Sequence, residues 1–185
     1  MVARVGALQL QLPIAHPTAI GYHGAGDGAL ALSPAGRQGN EGLLDRIAHK
    51  LVGGSGGHPV WYQLDGGSGP ATSSLDVGAA PGTDVYAPVD GTVVGIAPYI
   101  VDGRRFGSRI DIQPQSAPAL VVSLTHLRAD PSIVVGSAVV AGGSKLGAVV
   151  DLSSVEHEAL ARYTQDAGNH VSLEVRPAAT LTLSG

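Results

Sequence analysis

Apolar residues along this chain come in short runs, four to eleven residues long, rich in Val, Ile, Thr and Tyr and closed by Gly, Pro or Asp. PVWYQL, TDVYAPV, GTVVGIAPYIV, RRFGSRIDIQ, ALVVSLTHL, SAVVAG, KLGAVVDL and HVSLEVRP all have this form, and the pattern predicts β-strands separated by tight turns. APVDGT reads as one such turn, with Gly91 supplying a positive φ. VGALQLQLPI reads as an extended segment. Only two stretches carry a helical period. In NEGLLDRIAHKLV the residues Leu43, Ile47 and Leu51 recur every four positions, with Asn40 as N-cap, acids early and His49-Lys50 late. GGSGG at 53–57 ends that helix. In SSVEHEALARYTQDAG, Ser153 and Glu156 form a capping box, and Val155, Ala159 and Tyr163 share one face. A helical insertion is therefore expected near 153–165.

Composition agrees with a turn-rich β protein. The 185 residues include 27 Gly and 12 Pro, and aromatic residues make up only 4%. One sizeable core is within reach of a chain this long. Eleven basic against fifteen acidic residues give a formal charge of −4, and the basic residues are scattered, which argues against a nucleic-acid partner. No apolar run approaches the length of a membrane span. Zero Cys excludes a disulfide framework and thiolate metal sites. The opening MVARVGALQLQLPIA has an Arg and a short apolar run, but Gln9 and Gln11 interrupt it, so it is not read as a signal peptide.

The phrase LDVGAAPGTDVYAPVDGTVVGI at 75–96, with NHVSLEV at 169–175, resembles the lysostaphin/LytM-type zinc endopeptidases built on the duplicated hybrid motif. FGSRIDI and VVGSAVVAGGSKLGAV extend the resemblance over residues 59–177. It implies an all-β fold, a LytM-like barrel or sandwich, here with two peripheral helices. It also implies a division into an N-terminal extension at 1–57 and the β domain at 58–185. Biotinyl/lipoyl-carrier domains share the APVDG and VGSAVVAG phrases, but Lys145 in GGSKLG lacks the Met that flanks a carrier lysine.

In the family the metal is held by His-x-x-x-Asp and by the second His of a terminal His-x-His. This chain has Thr72 and Asp76 at the first pair, and His170 and Ser172 at the second. Zinc in a hydrolase needs three imidazole, thiolate or carboxylate donors and an open position for water. Two of the three places hold hydroxyls. Asp76 is left as a relic ligand position, and Thr72 and Ser172 are expected to fill the former metal space. His126, in SLTHL, matches the His beside the metal-bound water, and His170 matches the first His of the terminal motif. Both are catalytic positions that become vestigial without the ion. No cofactor is expected, or zinc if substitute ligands exist. The substitutes would be His126 or His170, or upstream His16 or His23 if the extension folds back to a site made with Asp76 and His170. His23 also begins a His-x-x-x-Asp spacing with Asp27, but the strand-turn context that follows Asp76 is absent there.

Three function classes follow. The leading one is a non-catalytic LytM-type module that binds a cell-wall peptide or an envelope protein. The second is an active zinc metallopeptidase with rearranged ligands. The third is a self-assembling structural subunit that adds its apolar N-terminal segment to a neighbour's sheet. An extracellular or envelope location is implied by the family alone.

Overall fold

The computed structural model describes residues 1–40, 59–101, 103–153, 159–164 and 167–180. The candidate helix at 40–52 lies outside them apart from Asn40, as do Val155 and Glu156 of the second candidate.

The described chain is nearly all β. Its strands are β1 (Ala3–Val5), β2 (Leu8–Leu10), β3 (Ile20–His23), β4 (Ser33–Pro34), β5 (Arg37–Gln38), β6 (Val60–Gln63), β7 (Ser74–Gly78), β8 (Asp84–Tyr86), β9 (Gly91–Val101), β10 (Arg104–Pro114), β11 (Leu120–Ala129), β12 (Ala138–Val139), β13 (Lys145–Val149) and β14 (His170–Pro177). The main sheet runs β12-β9-β10-β11-β14-β7-β3-β6-β5, and β13 bridges β11 to β8. A separate three-stranded sheet has the order β2-β1-β4. The sheet path stays open between the edges β12 and β5, so the expected barrel is not closed.

Alternation along the central strands builds the core. Leu75 and Val77, Val171 and Leu173, Val122 and Leu124, and Ile110 and Ile112 all turn to one side and are buried there. The N-terminal sheet packs onto the same core through Val2, Ala3, Leu8 and Leu10. VGALQLQLPI is thus a hairpin rather than one extended segment. The chain reverses at Gly6, whose φ of 56° suits a residue without a side chain. The apolar positions expected to reach a neighbour's sheet are buried in the chain's own core. β3 lies inside the main sheet, antiparallel to β7 and parallel to β6, so that sheet crosses the 57/58 boundary.

Two further expectations change. The second helix is a short 3-10 turn at Ala159–Tyr163 in its described part. Leu160 buries that turn against Ala19 and Leu64, and Tyr163 stacks on Tyr62 at 4.2 Å. Gly91 does not have a positive φ. It opens β9, where a Cβ would strike the Gln113 carbonyl oxygen of the adjacent strand. Close backbone approach, rather than turn geometry, calls for glycine there. Among the described residues no helix is long and apolar enough to cross a membrane.

Candidate functional site

Opposite the core, the same strands carry a polar face. Their alternation puts Ser74 and Asp76 of β7, His170, Ser172, Glu174 and Arg176 of β14, Ser123 and Thr125 of β11, and Arg109 of β10 on the floor of one cleft of about 760 Å³. Ladder pairing sets the rows: Asp76 faces Ser172, which faces Thr125, and Ser74 faces Glu174, which faces Ser123. His23 of β3 pairs with Ser74 and enters the cleft from the far side.

Asp76 is the centre of the cluster. The Ser172 hydroxyl donates to its Oδ1 at 2.6 Å, and His23 Nε2 lies 3.2 Å from its Oδ2. His170 Nε2 stands 3.8 Å from Oδ1. Two backbone carbonyls orient the imidazoles: His23 Nδ1 is 2.8 Å from the Gly24 oxygen, and His170 Nδ1 is 2.9 Å from the Gly168 oxygen. Each Nδ1 then carries the proton, and each Nε2 turns toward the carboxylate. His126 Nδ1 is 3.4 Å from the Ser172 oxygen, and its ring meets those of Tyr99 and His170 edge-on at 4.9 and 4.8 Å.

His126 owes its position to a bulge. Between the pairs Ser108↔Leu127 and Ile110↔Leu124, β11 has two residues where β10 has one. The extra residue takes φ 62°, a left-handed conformation that no other described residue except glycine adopts. At the same point β11 leaves β14 and begins pairing with β13.

The charges settle in opposite directions. The hydrogen bond to Asp76 raises the His23 pKa to about 9, helped by the carboxylate's charge and the Gly24 carbonyl and opposed by burial. Burial, with the nearby His170, lowers His126 to about 4. Asp76 itself sits well below the usual carboxylate range: burial pushes it up, but His170, His23 and the Ser172 hydroxyl more than offset that. Near neutral pH the centre is an imidazolium–carboxylate pair beside a neutral His126.

Of the residues singled out in the sequence, Asp76, His126, His170 and Ser172 meet in this cleft. Thr72 does not belong to the group. Its hydroxyl donates to the Leu32 carbonyl at 2.7 Å, and the imidazole beside Asp76 is that of His23. Asp27 does not line the cleft with His23, and exposed His16 does not reach it. Arg109, Glu174, Arg176 and Tyr99 were not foreseen as lining residues. The polar positions of HVSLEVRP and RRFGSRIDIQ were the signal that could have found the first three.

Of the groups that surround Asp76, two are imidazoles, His23 and His170, and one is a hydroxyl, Ser172. Among the described residues no three His, Cys, Asp or Glu side chains converge so as to hold an ion. The third contact to Asp76 is a neutral hydroxyl, a weak zinc donor. Nor is the cluster a serine triad. The Ser172 proton points to a strongly acidic carboxylate, and a His126 with a pKa of about 4 is a weak base.

No family model matches this chain, and no curated protein matches it. Among solved structures it is similar to Helicobacter pylori Csd3, at 15% identity and a TM-score of 0.46 over 99% of this chain and 36% of that one. It is also similar to a zinc-containing peptidase from Vibrio cholerae, at 21% identity and a TM-score of 0.38 over 60% of this chain and 31% of that one. A third is pseudoalterin, an M23 metalloprotease from the deep sea, at 17% identity and a TM-score of 0.44 over 96% and 75%. The chain spans about a third of the length of the first two.

Proposed function

We propose that this chain is a LytM-type, peptidase-like module of the cell envelope whose cleft binds a peptide or an envelope protein and does not hydrolyse it. One observation carries the reading. The carboxylate that would anchor a metal is instead neutralised by His23 and capped by Ser172. An imidazolium supplies the positive charge in place of an ion, and without an activated water the remaining histidines have no nucleophile to assist. The cleft stays lined with hydroxyls and half-buried charges, which suits a polar, extended ligand.

The arrival of His23 beside Asp76 also favours the second reading, a metallopeptidase with rearranged ligands. Metal analysis separates the two. Purified without chelator, incubated with Zn²⁺ and dialysed, the protein should retain far less than one zinc per chain. In NMR titrations with a soluble muropeptide, the His126 and Arg109 signals should shift while the peptide stays intact. Stoichiometric zinc with peptide cleavage would overturn the proposal.

A further inference from the structure

We propose that Arg109 is the residue of the cleft that receives a carboxylate of the bound peptide, which makes the ligand an acidic peptide. The inference rests on the binding reading above and names the charge that the cleft takes. It begins with alternation on β10, which puts Arg109 and Asp111 on the same face, two residues apart. Asp111 lies beneath the cleft with its side chain only 2% exposed, and Arg109 lines the cleft at 36%. Arg109 Nε donates to Asp111 Oδ2 at 3.1 Å, and the Ser123 hydroxyl of β11 donates to Oδ1 at 2.7 Å. Gly95, paired with Asp111 on β9, makes the room: a Cβ there would stand 2.9 Å from Oδ2.

This anchoring decides which edge of the guanidinium a ligand meets. The bond to Asp111 uses Nε, the inner nitrogen, so the outer edge formed by Nη1 and Nη2 points away from that carboxylate and toward the cleft. The outer edge presents two parallel N–H groups, the geometry that a carboxylate accepts in bidentate fashion. Arg176 also lines the cleft but has a different task. Its Nε and Nη2 hold Glu174 Oε2 at 3.0 and 2.7 Å, and its Nη1 holds the Asp27 carbonyl, which ties β14 to the loop after β3. The bulge of β11 sets Thr125 and His126 opposite Arg109, so the bound anion sits beside His126. One guanidinium, backed by Asp111 and sharing its floor with Glu174 and Asp76, matches the single charge of a carboxylate rather than the double charge of a phosphate.

The test titrates the full chain by calorimetry with a soluble muropeptide and with forms of it amidated at the C-terminal carboxylate, at the internal carboxylates, or at all of them. The fully amidated form should bind the wild type roughly tenfold or more weakly than the free form. The two partly amidated forms then tell which carboxylate Arg109 takes. Arg109→Gln should lose the same factor on the free peptide, and should bind the free and amidated forms alike. Arg109→Gln combined with Asp111→Asn should behave in the same way. That double variant leaves no carboxylate buried alone, so it reads binding even where an unpaired Asp111 weakens the fold of the single variant. Equal affinity of the wild type for free and amidated peptide would overturn the inference while the binding reading stands. So would a preference for the free form that survives in the double variant. A wild type that binds no muropeptide would overturn the proposed function, and this inference with it.

Discussion

At the base of the cleft, Asp76 sets the protonation of its neighbours, and its pairing with His23 should appear in the pH dependence of stability. The His23 pKa rises from 6.5 in the unfolded chain to about 9 in the fold. Its stabilisation is therefore complete below pH 6.5 and is lost as pH rises through about 9. With side chains only 26% and 7% exposed, the pair is largely shielded from water. His23→Gln should cost about 2–3 kcal/mol at pH 6.5 in urea melts, and much less at pH 10. His126 acts in the opposite sense. With its folded pKa lowered to about 4, the unfolded ring protonates first as pH falls from 6.5, so stability drops across that window. Imidazole-carbon NMR should find His126 titrating near pH 4, and a midpoint near 6.5 would mean that its ring is not buried. His126 and His170 were legible as site residues because they match a family's motifs. His23 was harder to see, because its spacing pointed to Asp27 while its real partner lies 53 positions away on another strand. Only the sheet order creates that contact.

At the level of elements, the glycine-rich segments after β3 and β6 form one wall of the cleft and fix His23. Gly67 has φ 65° and lies against the Gly24 carbonyl, so Gly67→Ala meets both backbone strain and a steric clash. The substitution should cost roughly 2 kcal/mol or more in thermal melts. It should also return the His23 pKa toward its ordinary value, which NMR reads independently of stability. The long strands at 91–101 and 170–177 were legible almost to the residue, because their β-branched runs end in clear turn signals. Others were not. β7, SLDVG, alternates Ser74 and Asp76 with Leu75 and Val77, but over only four positions between glycine-containing stretches, too short a pattern to stand out. β3, IGYH, is four residues long and reads as the edge of a glycine-rich loop. The bulge at His126 left no mark in the sequence at all, because it arises where β11 changes partners.

For the whole molecule, the question is whether the β region from residue 59 onward can stand without what precedes it. Its sequence resemblance to a compact peptidase core suggests that it can, but the packing argues that it cannot. β3 is an inner strand of the main sheet, hydrogen-bonded to β7 on one side and β6 on the other. Removing it would leave the buried β7 as an edge with unpaired backbone groups. Beyond β3, Val2, Leu8, Leu10 and Ile14 enter the same core as Leu75, Ile112 and Leu173. The hairpin is tied in by its backbone too: Gln11 N donates to Pro88 O and Tyr86 N to Pro13 O, both at 2.8 Å. The Tyr22 hydroxyl donates to Val2 O at 3.0 Å, from a ring that is fully buried. Leu10→Ala should therefore behave as a core truncation and cost about 3 kcal/mol. A chain starting at residue 59 should lose the dispersed NMR spectrum of the full protein and become sensitive to protease throughout. If that fragment instead folded and kept an intact cleft, His23 would be an accessory to the site rather than part of it. Loss of folding would mean that His23 stands on a strand the cleft cannot be built without, because β7, which carries Asp76, pairs with it.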